Sequence, residues 1–415
     1  MKKSLLIVAF CLVTVGLFAQ NVYDRKITFE YIRLPLQPLK KSIKNYQSSV
    51  VLEYEQEIKA RKEAFAKSVI EAEKRYEAEE EDYDKKVKEA GVRYAQDMAA
   101  HKINKRTNPN LPEPVLTLPP KPEKYIPTDN YYYPKSVNPE TLSSTYINLD
   151  GYTKSQENAV LATVMLRGFQ YTEPELKINE ISKTKDGVTY KEKEYYYEMN
   201  YKYPMGLKME VPGSGVVFNE YFEDLNRYAT YRSDKYKSDT LLLKSFNKFT
   251  VLSGIEDKII GQNMRYVNEF MNNNFGFTKV SATEEVFLVT EKKFNYPDFK
   301  QAFEAVSLGF GQLSADVNRT VAAQNLNAGV GIWENTLKES QPKNKKARVN
   351  ENVTTAALFN IALVSIYANE FGKAEIYLNK IFASEASRKE QRRVEQIKAF
   401  MKAQKQRFEA YSKVN

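Results

Sequence analysis

Apolar side chains alternate with polar ones in Lys26-Ile27-Thr28-Phe29-Glu30-Tyr31-Ile32-Arg33-Leu34, so Ile27, Phe29 and Tyr31 share one side of a half-buried strand. Pro35 and Pro38 end it. This strand belongs to an N-terminal segment, 20–50. The period then changes. Val51, Tyr54, Ile58, Phe65, Val69, Ala72, Tyr76, Tyr83, Val87, Ala90, Tyr94 and Met98 recur mostly at spacings of three and four, which predicts one long, coiled-coil-like helix over 51–106. At ~1.5 Å per residue it would reach ~80 Å. Arg61, Lys62, Glu79 and Glu80 interrupt the stripe, and Tyr and Ala are weak seam residues. The pattern therefore favours an antiparallel hairpin arm or a protruding helix over a parallel dimer.

Nine of the sixteen prolines follow between 107 and 140. Such a linker is extended and semi-rigid, acting as a spacer or as a strap docked along the body. The region 141–250 is rich in strand signals. Tyr146 to Gly151 is a strand running into a turn, and Val160 to Leu166 is continuously apolar. Glu194 to Val211 reads as a Tyr-rich strand and hairpin turning at Pro204 and Gly206. An α+β segment, 251–326, comes next, with helices over 256–273 and 297–323 and a strand at Val286 to Val289. Two landmarks recur: Gly151-Tyr152-Thr153-Lys154 lies 18 residues before Phe169, and Gly276-Phe277-Thr278-Lys279 lies 18 before Phe294. That repeat predicts two related strand units. The fold class expected is α+β.

The first residues read differently. Lys2 and Lys3, the apolar stretch Ser4 to Gly16 and the small residue Ala19 form a signal peptide over 1–19. The expectation is an exported protein, in the periplasm or peripheral to the outer membrane or cell surface, with no transmembrane helix after cleavage. Cys11, the one cysteine, falls inside that signal, so the mature chain has no disulfide.

A resemblance appears near the C-terminus. Asn360-Ile361-Ala362-Leu363, then Phe371-Gly372-Lys373-Ala374 and Tyr377-Leu378, resemble a degenerate tetratricopeptide repeat over about 348–383. Ser365 stands where a Tyr is usual, Ile381 where an Ala is usual, and no Pro closes the unit. The resemblance implies a helix-turn-helix module for packing or protein binding, with Ile361, Ala362, Phe371 and Ala374 in its signature places. A TPR-like module over 327–415 would end in a long helix with Val394, Ile397, Met401, Phe408 and Tyr411 on one stripe. Arg388, Lys389, Arg392, Arg393, Lys398, Lys402, Lys405 and Arg407 decorate the remainder. Residues 343–415 hold 15 Lys plus Arg against 7 Asp plus Glu, so nearly all the excess positive charge lies here. Arg392, Arg393, Lys398 and Lys402 are its candidate contacts with a partner.

Composition narrows the chemistry. One His and one Cys cannot build a His- or Cys-rich metal site, and no cofactor motif is present. Ser182/Lys185, Ser245/Lys248 and Ser340/Lys343 match S-x-x-K without the companion motifs. His101 reads as an exposed polar residue. Glu79-Glu80-Glu81-Asp82 lacks the Gly turn of a calcium loop and reads as a solvated helix face. Paired carboxylates leave no linear signature. Tyr195, Tyr197, Tyr201 and Tyr203 share a strand face, either sheet core or a platform for sugar rings. The expectation is a non-enzymatic adaptor or scaffold that binds another envelope protein. The alternative is a glycan or cell-wall binder. An acidic polymer, cell wall or anionic membrane would suit the basic helix, and nucleic acid is not an expected partner.

Overall fold

The computed structural model describes residues 22–290, 293–384 and 387–414. The expected signal peptide, with Cys11, lies outside them. The chain enters strand β1 (Val22–Arg33), passes through β2 (Asn45–Leu52) and forms helix α1 (Glu55–Asn104). After an extended stretch come α2 (Pro139–Tyr146), β3 (Thr153–Lys154), β4 (Ala159–Leu166), β5 (Gln170–Tyr171), β6 (Glu175–Lys185), β7 (Val188–Lys202), β8 (Met205–Val211), β9 (Gly215–Tyr221) and β10 (Ala229–Arg232). Helices α3 (Asp239–Ser245) and α4 (Lys248–Phe275) lead to β11 (Thr278–Val289). Then follow α5 (Pro297–Gly311), α6 (Thr320–Thr336), α7 (Glu351–Tyr367), α8 (Phe371–Ala383) and α9 (Arg388–Ser412). The class is α+β.

The first core is a mixed sheet in the order β3-β2-β4-β8-β9. Val160, Ala162, Val164 and Leu166 of β4 and Met205, Leu207 and Met209 of β8 point to one side, fully buried beneath α4. Helix α4 is capped by Asn247, whose side chain accepts from Thr250 N–H. Its own asparagines satisfy neighbouring loops, which carry polar backbone into the core. Asn263 donates to Tyr203 O, and Asn272 donates to Asn148 O and accepts from Asp150 N–H.

The second sheet, β10-β7-β5 with β6 on β7, departs from the expected hairpin. At Pro204 the chain crosses from one sheet to the other, because Pro has no N–H for the ladder. The tight turn sits instead at Asp186-Gly187, both at positive φ, where the Asp-Gly pair matches a type I′ turn between β6 and β7. The two landmark motifs do not frame equivalent strands either. Strand β4 lies between two neighbours, whereas β11 pairs with β1 alone among the described residues. The landmarks meet each other: Phe277 N–H donates to Asp150 O at 2.8 Å, and the Phe277 ring packs 5.9 Å from Tyr152.

The second core forms around the antiparallel ribbon β1–β11, in register from Val22↔Val289 to Arg33↔Thr278. As expected, Phe29 and Tyr31 point inward and Ile27 is half-buried, while Lys26, Thr28 and Glu30 face solvent. Phe29 stacks on Phe310 of α5 at 4.2 Å, and both rings meet Tyr367 of α7 edge-on at 5.2 Å. A third cluster joins α7, α8 and α9. The 20–50 segment therefore divides: β1 completes the C-terminal half, while β2 joins the first sheet. The helical run expected over 297–323 breaks into α5 and α6 at a loop where Arg319 adopts a left-handed conformation, φ 56°. Its buried guanidinium donates to Ile32 O, Tyr367 O and Asn369 Oδ1. Arg407, expected on the solvated face of the last helix, is buried too and donates to Leu34 O and Asn273 O. Both arginines tie off backbone carbonyls that no strand or helix satisfies.

Helix α1 carries the stripe read from sequence, and what covers that stripe is the Pro-rich strap. Lys124 lies over the Tyr76 ring, and Arg61 lies over the Tyr131 ring at 3.6 Å. The fifteen-residue step from Arg61 to Tyr76 spans about 22 Å of helix, which matches the reach of the seven-residue step from Lys124 to Tyr131 at the rise of an extended, polyproline-like chain. Between these contacts the strap thus runs antiparallel to the helix. Glu79 to Asp82 are exposed. His101, expected in solvent, is buried at the far end of the helix. At the root, Tyr54 packs on Gly168, whose φ of +82° suits glycine and where a Cβ would come within 2.8 Å of the Tyr54 ring. Tyr132 O–H donates to Glu256 of α4 at 2.7 Å, and Lys135 N–H donates to the same carboxylate.

Two outcomes follow from these buried polar contacts. Asn360 of α7 holds both backbone groups of Phe287, accepting from its N–H and donating to its C=O at 2.8 Å each. Asn360→Ala leaves both unpaired in the core and should cost about 2–4 kcal/mol in urea unfolding; a loss near zero would contradict that account. Burial holds the Glu256 carboxyl above its ordinary value of 4.5, against the lowering pull of the Tyr132 and Lys135 donors. The folded state thus binds this proton more tightly than the unfolded chain. Stability of the wild type relative to Glu256→Gln should rise as pH falls through the raised folded value, and the gain should be complete below 4.5. Unfolding both proteins at neutral and acidic pH checks this, and a gap constant with pH would refute it.

Candidate partner groove

The solvent face of the β1–β11 ribbon does not stay open. Helix α9 rises beside it, leaving a groove of about 1510 Å³ between the ribbon, α7 and the first half of α9. Pockets for small molecules are commonly ~300–1,000 Å³, so this volume suits a longer ligand. Alternation in the ribbon delivers one wall. Asp24 and Lys26 of β1 and Thr283, Glu285 and Phe287 of β11 project from the same face, because paired residues share a side. The apolar floor comes from Phe359 and Leu363 of α7 and Ile397 and Phe400 of α9.

Helix α9 starts where it does because Ser387 and Glu390 form a capping box. That start places Arg388, Lys389, Arg392 and Arg393 on the first two turns. Arg393 is anchored: it pairs with Glu285 at 3.1 Å, donates to Glu285 O, and its guanidinium lies 4.4 Å from the Phe287 ring centre. Glu284 accepts from Tyr367 O–H at 2.7 Å, and burial raises its carboxyl above the ordinary range. No ion pair among the described residues engages Lys26, Arg388, Lys389 or Arg392.

The residues singled out in the sequence fall into two sets. Arg392 and Arg393 line the groove. Lys398 donates to Asn379 and lies over Phe382, and Lys402 is exposed outside the groove lining. Ile361, Ala362, Phe371 and Ala374 are buried between helices, so they pack the module and offer no surface to a partner. The helices α7 and α8 do form a helix-turn-helix there. Of the tyrosine row, Tyr203 is fully buried and cannot stack on a sugar. Tyr201 is half-buried, and Tyr197 packs against Phe246 at 4.6 Å. Tyr195 is half-buried beside the exposed Ile178.

The ribbon wall was missed in the sequence. The signal was present in the polar side of the first strand, Lys26, Thr28 and Glu30, which faces solvent. What no pattern carries is that α9 stands beside that side, with Arg393 reaching Glu285 of β11. Among the described residues, no group of three or more His, Cys, Asp or Glu side chains could hold a metal ion, and no helix is long and apolar enough to cross a membrane. No family model, curated protein or solved structure matches the chain.

Proposed function

We propose that this protein is an exported, non-enzymatic adaptor of the cell envelope that holds a segment of another protein in the groove between the ribbon and α9. The observation that carries the reading is the groove itself: an apolar floor rimmed by bases that form no ion pair among the described residues, too large for a typical small ligand. Export is inferred from the signal-like residues 1–19. The helix-turn-helix of α7 and α8, with its resemblance to a tetratricopeptide unit, supplies the scaffold that presents α9. The arm gives the molecule reach toward a second contact, as a scaffold requires.

Removing 342–415 would be a poor test, because α7 covers the ribbon and its loss would open the second core. A photo-crosslinking residue at Gln396, exposed on α9 and lining the groove, leaves the fold intact. Expressed in the native host, it should give a covalent adduct with one dominant protein. The same label at Lys191, exposed on the β6–β7 hairpin, should not. Absence of any protein adduct from Gln396 would refute the adaptor reading.

A further inference from the structure

The groove's charges are unevenly committed. On the acidic side, Glu285 pairs with Arg393, Glu284 accepts from Tyr367, and Glu390 closes the capping box. Among the described residues, Asp24 alone of the lining acids has no such partner. On the basic side, Lys26, Arg388, Lys389 and Arg392 all lack an ion pair among the described residues. The bases on α9 are also placed against local stability. Arg388 and Arg392, and Lys389 and Arg393, are like-charge pairs four residues apart. Arg388 and Lys389 also sit in the first turn, at the positive end of the helix dipole. Carboxylates brought by a partner would relieve both strains. Further along α9 the lining turns apolar, at Ile397 and Phe400.

We infer that the groove takes an acidic–apolar peptide segment of the partner protein. Its carboxylates lie against Arg388, Lys389 and Arg392, and a bulky apolar side chain enters beside Ile397 and Phe400. The twelve residues from Arg388 to Phe400 span about 18 Å of helix, the length of five or six extended residues. The ligand is therefore a short linear segment with its acids at one end and its anchor at the other. This inference rests on the reading of the groove as a partner site.

Panning a display library of random peptides, about twelve residues long to admit extended or helical ligands, on the full chain tests it. Enriched peptides should be net acidic with a bulky apolar residue. Their affinity, read by fluorescence anisotropy, should fall about ten-fold or more on Lys389→Glu with Arg392→Glu, as expected when steering and pairing charges are reversed. It should be unchanged by Lys398→Glu, which lies outside the groove. Glutamates suit the start of a helix, so the double variant should fold, and circular dichroism checks this. Should it not, Lys389→Gln with Arg392→Gln carries the same comparison. Enrichment of neutral or basic peptides that still crosslink through Gln396 would overturn the acidic assignment and spare the adaptor reading. No peptide enrichment, with binding to phosphatidylglycerol–phosphatidylcholine vesicles that the double variant abolishes, would overturn both in favour of a membrane surface. No enrichment and no vesicle binding would also overturn both.

Discussion

Strand β1 meets its partner across most of the chain: the Thr28 and Thr283 hydroxyls touch at 3.0 Å over a separation of 255 residues. The entropy of closing so long a loop grows only slowly with length, but an isolated two-stranded ribbon is marginal in water. This one is held because helices occupy places that further strands would take. Asn360 offers Phe287 an amide in place of a third strand. Arg393 caps Glu285 O, and Arg319 with Leu313 closes the backbone of Ile32. The groove is a by-product of the same solution. Because the far edge of β11 is closed by side chains reaching from α7 and α9, those helices must stand beside the ribbon and leave a trough over its polar face.

Elements whose burial is periodic were readable in the sequence. The seam of α1, the alternation of β1 and the stripe Val394, Ile397 and Met401 of α9 are each one side of a regular element, and each is buried or half-buried where expected. Contacts between elements were not readable. Nothing local distinguishes Arg407 from Lys405 two residues earlier, yet one is buried against Asn273 and the other exposed. The crossing at Pro204 looked like a hairpin because Pro and Gly mark turns in general. The specific hairpin signal, Asp186-Gly187, was overlooked between two unusually polar strands.

The candidate site divides along the same line. The basic turns of α9 stood out by charge alone, and Arg392 and Arg393, singled out there, line the groove together with Arg388 and Lys389. The residues taken from the tetratricopeptide pattern went to the interior, because that pattern records how helices pack and not what they present. The other wall belongs to strands at opposite ends of the sequence, which no local motif joins.

The strap along α1 has a mechanical consequence. A lone helix of fifty residues would bend and fray, but here a Pro-rich extended chain lies against the root half of a strut about 75 Å long. A strut converts angle into distance. A rotation of about 10° at its root would carry the far end through about 13 Å. The hinge of that lever is a small set of contacts: Tyr54 over Gly168, and Tyr132 and Lys135 on Glu256. Because Tyr54 and Tyr132 belong to the first core, a small shift of that core would be read at the tip as a step about as wide as a helix.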